Sequence, residues 1–438
     1  MPTASPSPLS PSAASPVTDV RLSPEGHDPH STERVTVTGP LRRLLVWYGL
    51  ATLGAWLAIG AVNGVLLPLQ IEELDPGRKA ANLAVTATLG ALAGMLAQPI
   101  AGLLSDRTRS RRGPRATWIL AGALGAAGGL VVLGGMSGFA GIVVVYVLVN
   151  LALNLYLGPK TAIMPDRVPR GVRGLFSAAA GLGILFGVLG GQILAAVLSF
   201  SPFAAYCVLG VVVLVAGVGL VVFNPDHDNR GEPLEPLHWS MLLRTFWVSP
   251  RRHPDFALGF VGRLMTLMGF YLVSTFQLFL LQDYVGLGNE AVDLIALLSL
   301  VALVTTLLGT VVGGPLSDRM GRRKPLAVAA GLLIAASLVA PWLMPSVTGF
   351  LIYAVVAGLG FGCYLAVDQA LLSEVLPGTE DNGRYLGVLN IAAALPSALA
   401  PAIAGTIVST LGYAAIFPVG IGIAIVGSLA ILPIRSVR

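Results

Sequence analysis

The stretch GGPLSDRMGRRKP (residues 313–325) places five charged residues, from Asp318 to Lys324, within seven positions of a chain that is only 11% charged. Nearly the same stretch, AGLLSDRTRSRRGP, occupies residues 101–114, so that Asp318 aligns with Asp106 at an offset of 212 residues (318 − 106). The rest of the chain is apolar, because hydrophobic residues make up 55% of its 438 positions. A charged segment that occurs twice in such a chain indicates an internal duplication.

Continuous apolar stretches recur along the chain and decide its structural class. A bilayer core about 30 Å thick requires about 20 apolar residues of a helix. Only helices and closed barrels satisfy their backbone groups in lipid, and barrel strands would alternate apolar and polar residues. The stretches here do not alternate, so the sequence predicts an all-α polytopic membrane protein. The twelve predicted transmembrane helices are 44–70, 81–104, 116–136, 139–165, 173–198, 203–223, 256–282, 291–316, 325–344, 348–375, 384–410 and 412–433.

A tail and one long polar segment divide the chain. Residues 1–40 contain eight Pro and seven Ser, a composition that cannot bury a core and that predicts a disordered cytoplasmic tail. Residues 224–255 are polar, and six predicted spans lie on either side of them. The predicted organisation is therefore an N-terminal six-helix bundle (41–223), a central cytoplasmic loop (224–255) and a C-terminal six-helix bundle (256–438). Within the loop, LHWSMLLRTFW (237–247) suits either an interfacial helix or a plain linker.

Lys and Arg are distributed unevenly between the two sides of the predicted spans. With the amino terminus inside, 23 of the 27 basic residues fall in the even-numbered turns and the two tails. Only Arg78 and Lys79 fall on the other side, beside Glu72, Glu73 and Asp75. Because basic residues concentrate in cytoplasmic loops, we predict a multi-pass protein of the plasma membrane with both termini in the cytoplasm. The net charge of +5 reflects this topology and does not predict binding to nucleic acid.

The duplication extends beyond the charged segment. With an offset of 208 residues, YLGPKTAIMPDRVP (156–169) aligns with YLAVDQALLSEVLP (364–377). Internal repeats of this kind are typical of secondary transporters. The pattern GxLxDRxGRR after the second helix of each half resembles the signature loop of the major facilitator superfamily. The first copy departs from the pattern at Thr108 and Arg109.

This resemblance covers residues of about 40–435 and implies a fold, a mechanism and a set of residues. It implies a transporter, monomeric by default, with a central cavity lined by helices 1, 4, 7 and 10. In the family, Asp and Arg residues of the signature loop hold the cytoplasmic helix ends together, and Arg forms forked bonds with carboxylates. The alternative is a simple positive-inside anchor. The corresponding residues here are Asp106, Arg107, Arg112, Asp318, Arg319, Arg322 and Arg323.

Three charged residues, Lys160, Arg263 and Asp368, lie inside predicted spans at five or more residues from either end. A charge at the bilayer centre costs about 2.5–3.5 kcal/mol on insertion scales, so such residues are usually paired or face water. Lys160 and Asp368 occupy equivalent positions of the two halves with opposite charges. One interpretation is a structural Arg263–Asp368 ion pair, with Lys160 reaching towards the interface. In the other interpretation, Asp368 switches its ion pair between Arg263 and Lys160, and the Lys160–Asp368 pair closes the cytoplasmic side. Protonation of Asp368 would break that pair, so a proton would be coupled to opening.

Polar and aromatic residues of the four cavity-lining helices are candidates for substrate binding. Sugar sites often combine amide hydrogen bonds with an aromatic platform, whereas polar residues also join transmembrane helices to each other. The substrate-binding candidates are Trp56, Asn63, Asn150, Asn154, Tyr271, Gln277, Tyr364 and Gln369.

The sequence favours a secondary transporter over a catalytic or metal-dependent protein. It contains no GxxxxGK[ST] segment of the kind an ATP-driven pump requires, and its two Cys and five His have no metal-ligand spacing. We therefore expect no enzyme activity, cofactor or metal, and we expect a small-molecule substrate, protons and the lipid bilayer as partners. SPRRHPDF (249–256) resembles the seventh-helix entry of sucrose-type and glycoside–pentoside–hexuronide carriers, which implies uptake of a sugar or glycoside. The alternative is a proton-antiport exporter of drug-like or secondary-metabolite molecules, although the fifth span lacks the Pro of their motif.

Overall fold

Twelve helices of the computed structural model are long and apolar enough to cross a membrane, and this confirms the twelve predicted spans. The structure describes residues 37–231, 251–374 and 382–434. Residues 1–36 of the predicted tail and 232–250 of the predicted central loop, which include the predicted interfacial helix, lie outside the described residues. The helices are α1 (Gly39–Leu74), α2 (Pro76–Arg107), α3 (Ala116–Gly134), α4 (Phe139–Arg167), α5 (Arg170–Val197), α6 (Pro202–Phe223), α7 (Pro254–Thr275), α8 (Gly288–Met320), α9 (Arg323–Leu343), α10 (Val347–Glu374), α11 (Asn382–Leu411) and α12 (Tyr413–Ala430).

Because the helices alternate in direction, the bundle has two faces. We call the face that holds the loops after α2, α4, α6 and α8 the arginine-rich face, and the other the opposite face. The predicted topology places the arginine-rich face in the cytoplasm. Both charged segments lie on this face, where α2 and α8 end.

The two copies of the charged segment end their helices differently. α8 ends at Gly321, whose φ of 57° is the left-handed conformation that glycine adopts without penalty at a helix end. The aligned position of the first copy is Arg109, and there α2 ends instead at an extended Thr108 (φ −77°, ψ 130°). The Thr108 hydroxyl donates to Leu104 O (2.7 Å). The departure of the first copy from the signature pattern therefore has a structural counterpart.

The first helix of each half is irregular near its middle or end. α1 contains a π-helical turn at Val62–Leu66, and α7 breaks at Phe276 and continues to a second π-helical turn at Leu280–Tyr284. Such turns interrupt the regular backbone ladder and are frequent at functional sites. α1 and α7 are also the two most buried of the twelve spans, with 61% and 56% of their most apolar segments inside the protein. α1 and α7 therefore form the centre of the bundle.

Glycines allow α5 to approach α1 closely. Gly183, Gly187 and Gly191 recur every fourth residue and so share one face of α5, an arrangement that permits close helix contact in membranes. A Cβ at Gly191 would overlap Leu57 O and come within 2.8 Å of Ala61 N, both of which are backbone atoms of α1.

We expect Gly191→Val to lower the free energy of unfolding by about 1–3 kcal/mol, because overpacking a tight contact displaces the backbone. A lower melting temperature in detergent would report this. Gly190→Val is the matched control, since nothing lies within 4 Å of a Cβ at Gly190. Equal melting temperatures for the two variants would contradict the close contact.

Candidate transport site

The structure brings together two of the three charged residues that the sequence places inside spans. Arg263 Nε of α7 lies 3.3 Å from Asp368 Oδ2 of α10, and the two side chains are only 9% and 7% exposed. The Thr266 hydroxyl is buried without a hydrogen-bond partner among the described residues, and the Tyr364 hydroxyl is buried beside Asp368. Asp368 follows Tyr364 by one helical turn, and Thr266 follows Arg263 by a similar interval. The pair is thus accompanied by buried polar atoms that could bind water or a substrate hydroxyl.

Lys160 lies in the other half with a different partner. Its side chain, 2% exposed, donates to Thr52 Oγ1 of α1 (2.5 Å), and its ammonium lies 4.3 Å from the centre of the Tyr48 ring. The Thr52 hydroxyl in turn donates to Tyr48 O (2.7 Å). No carboxylate of the described residues lies within 4 Å of Lys160. Each half therefore joins its first and fourth helices through a buried polar pair, but only the C-terminal pair is neutralised.

The substrate-binding candidates on α1 and α7 are partly accessible near the centre of the bundle. Asn63, in the π-helical turn, is exposed and accepts a hydrogen bond from the Tyr146 hydroxyl (2.8 Å). Trp56, Tyr271 and Gln277 are half-buried, and the side-chain amide of Gln277 has no hydrogen bond to a described residue. Accessible amide and aromatic groups on the two central helices are suited to face a cavity.

The candidates on α4 and α10 are placed differently. Asn150 and Asn154 donate to the backbone carbonyls four residues earlier in α4 (both 2.9 Å). Both side chains also lie against glycines of α2, as a Cβ at Gly90 or Gly94 would meet their amide nitrogens. This geometry favours helix packing over substrate binding for the two asparagines. Tyr364 is 1% exposed, and the side chain of Gln369 lies outside the described residues.

The signature segment of the N-terminal half forms an ion-pair network through a residue just beyond the predicted set. Arg115, at the start of α3, pairs with Asp106 at the end of α2. Its Nε also donates to Asp166 Oδ2 at the end of α4 (2.9 Å), and its Nη2 lies 2.9 Å from the same oxygen. Arg107 is half-buried and Arg112 is exposed. The partner of Asp106 is therefore Arg115, which sequence analysis did not select, and the role of Asp106 in the signature loop stays a prediction.

The second signature segment is arranged more openly. Asp318, Arg319 and Arg322 are all exposed and make no ion pair with the described residues. Arg323 is half-buried at the start of α9. Lys324 donates to Ile434 O (2.9 Å), which ties the segment to the end of the C-terminal half.

The opposite face carries a polar cluster that sequence analysis did not assign. We call Glu72, Lys79, Gln282, Asp283 and Tyr413 the opposite-face cluster. Lys79 binds Glu72 (2.7 Å) within its own half and Asp283 (2.8 Å) in the other half. Gln282 donates to Glu72 (2.7 Å), and the Tyr413 hydroxyl donates to Asp283 (2.7 Å). The signal in the sequence was that Lys79 is one of only two basic residues on this side.

Several polar and packing contacts between the two halves lie towards the opposite face. Besides the two bonds of the opposite-face cluster, Ser299 of α8 donates to Gln192 near the end of α5 (2.6 Å). Gly405 near the end of α11 packs against Ala84 near the start of α2. The structure is therefore closed at the opposite face.

Two six-helix repeats that are joined at the opposite face and carry buried charges on α4, α7 and α10 define a membrane transporter of small solutes. The sequence matches the family model of the Major Facilitator Superfamily over residues 48–308 and 260–438, and the chain belongs to this family. It is accordingly a transporter and not an enzyme. The fold is similar to the crystal structure of a mutant form of the nucleoside transporter NupG, with a TM-score of 0.69 and 14% sequence identity. The match covers 89% of this chain and 99% of that chain. No curated protein sequence matches the chain significantly.

Proposed function

We propose that this protein is a proton-coupled secondary transporter that imports a sugar or glycoside across the plasma membrane by alternating access. The observation that carries the proposal is the buried Arg263–Asp368 pair between α7 and α10. A carboxylate held in the membrane beside a single cation is a natural site for reversible protonation. The uneven distribution of Lys and Arg supports a cytoplasmic position for the arginine-rich face and for both termini.

In the proposed cycle, the opposite-face cluster closes the external side while the arginine-rich side is open. Asp368 is then paired with Arg263, and Lys160 is held by Thr52. When the arginine-rich side closes, Lys160 approaches Asp368 and binds it across the two halves. Protonation of Asp368 weakens both ion pairs, so the proton gradient biases the exchange between the two states.

Amide and aromatic groups on α1 and α7 support a polyhydroxylated substrate. Asn63 and Gln277 provide both donors and acceptors, which match sugar hydroxyls. Trp56 and Tyr271 provide apolar faces on which a pyranose ring stacks. NupG is named as a nucleoside transporter, and a nucleoside carries a ribose with the same hydroxyl chemistry. Nucleosides therefore belong in the substrate panel beside sugars and glycosides.

We expect a sugar, glycoside or nucleoside to raise the melting temperature of the purified protein. A ligand at about 100 times its dissociation constant adds about 2.7 kcal/mol of stability. The shift should disappear in Asn63→Ala and in Gln277→Ala. Asn150→Ala is the matched control, because Asn150 packs against Gly90 and should change the baseline melting temperature without removing the shift.

Two results would redirect the assignment. A shift only with bulky apolar cations would support the proton-antiport exporter and would make Trp56 and Tyr271 part of an apolar pocket. A sugar shift that survives Gln277→Ala and Asn63→Ala but not Asn150→Ala would place the substrate site on α4 instead.

A further inference from the structure

A cavity of about 280 Å³ lies at the arginine-rich face of the N-terminal half, between the ends of α3, α4 and α6. Four arginines line it, two from the loop before α3, one at the start of α3 and one at the end of α4. They are Arg111, Arg112, Arg115 and Arg167. We call this cavity the arginine pocket.

Two of the four arginines are neutralised by the protein itself. Arg115 pairs with Asp106 and Asp166, as described above. Arg167 lies 4.0 Å from Asp226 and donates to the carbonyl oxygens of Asn224 (3.0 Å) and Pro225 (3.2 Å). These two side chains are held in place and form a fixed part of the wall.

The other two arginines have no acidic partner among the described residues. Arg111 and Arg112 are exposed, and no carboxylate of that part of the chain lies within 4 Å of either guanidinium. Asp226 is the one acidic residue in the lining, and it is already beside Arg167. The arginine pocket therefore has an excess of positive charge at its mouth.

The loop that carries Arg111 and Arg112 is fixed in position. Gly113 has a φ of 84°, and a Cβ there would come within 2.6 Å of Asp226 Cβ. Asn229 accepts from Ser110 N (2.9 Å) and donates to Thr108 O (3.0 Å). The pocket is therefore preformed, and binding would not require the backbone to be ordered first.

The inner wall of the arginine pocket is apolar and continues onto the outer surface. Ile119 and Leu220 line the pocket and are buried. Val222, also in the lining, is 62% exposed, and its neighbour Phe223 is 48% exposed at the end of α6. Exposed apolar residues on the outside of a membrane protein contact acyl chains, so charge and hydrocarbon meet at the mouth of the pocket.

We propose that the arginine pocket binds a phosphate-bearing anion, supplied by the headgroup of an anionic phospholipid. Guanidinium groups match phosphate oxygens with forked hydrogen bonds. Basic pockets between transmembrane helices on the cytoplasmic side are suited to anionic headgroups. The adjacent apolar surface selects a lipid, whose acyl chains lie along α3 and α6, over a free phosphate in solution. This site does not depend on which solute is transported.

The test is native mass spectrometry of the full chain in detergent, titrated with phosphatidylglycerol or with phosphatidylcholine. We expect the first phosphatidylglycerol to bind more tightly than phosphatidylcholine. The double variant Arg111→Gln with Arg112→Gln should weaken that binding roughly 30-fold. If the double variant is unstable, Arg112→Gln alone is used, and it should weaken the binding roughly fivefold. The matched control is Arg42→Gln with Arg43→Gln, which removes two exposed arginines at the start of α1 on the same face and should leave the binding unchanged.

The outcomes separate the sources of the anion. Glycerol phosphate that displaces phosphatidylglycerol at comparable concentration would keep the phosphate site and overturn the lipid as its source. Equal losses in the pocket variant and in the Arg42, Arg43 control would overturn the proposal in favour of diffuse surface charge. Unchanged phosphatidylglycerol binding in the pocket variant would also overturn it.

Discussion

Asp368→Asn is expected to abolish proton-driven accumulation of substrate in proteoliposomes while exchange across the membrane partly survives. The substitution removes the carboxylate that would carry the proton and leaves Arg263 buried without a counter-charge. Removing one partner of a buried pair typically costs about 3–5 kcal/mol, so the melting temperature should fall as well. Uptake of the solute found by thermal shift, with and without a pH gradient, measures the first effect.

The double variant Arg263→Gln with Asp368→Asn separates coupling from stability. It removes both charges from the 3.3 Å pair and leaves two neutral amides in their place. We expect it to recover much of the lost melting temperature, because no unpaired charge remains. We expect it not to recover accumulation, because no group remains to bind the proton. Recovery of both properties would make the pair purely structural, and normal accumulation by Asp368→Asn would refute the coupling role.

Lys79→Glu is expected to open the opposite face. In the native protein Lys79 lies between Glu72 and Asp283, and the substitution would put a third carboxylate there. Both ion pairs are partly exposed, so each contributes at most about 1 kcal/mol, and like-charge repulsion adds to their loss. A total of about 2 kcal/mol would shift the equilibrium away from the closed state about 30-fold.

Double electron–electron resonance can measure this opening. Spin labels at Glu73 and Asn289, both exposed on the opposite face, report the distance between the halves after Cys207 and Cys363 are replaced. The distribution in Lys79→Glu should move to longer distances, and Asp283→Lys in the same chain should restore the short distance. Asp293→Asn, an exposed acid on the same face outside the cluster, is the control and should have no effect. An unchanged distance in Lys79→Glu would show that other contacts hold this face closed.

The sequence by itself determined the class, the number of spans and the repeat. Hydrocarbon thickness fixes the length of an apolar helix, and this length is a local property that can be counted along the chain. The first span illustrates the precision: the sequence predicts 44–70 and the helix extends over Gly39–Leu74, because helices continue beyond the apolar core. The correspondence of Asp106 with Asp318 likewise required only the order of residues. Charge inside spans is also visible in the sequence alone, and it singled out Arg263 and Asp368 because a membrane tolerates few unpaired charges.

The tertiary structure alone decided which polar atoms are partners. Gln70 and Gln282 occupy equivalent positions of the two halves, yet Gln70 donates to Leu133 O (2.8 Å) and Met136 O (3.0 Å), whereas Gln282 donates to Glu72 across the halves. In the same way, Lys160 aligns with Asp368 but binds Thr52. A hydrogen bond depends on atoms within about 3 Å of each other. Those positions are set by how distant helices pack, so the repeat predicts where a polar residue lies along its helix but not which residue it meets.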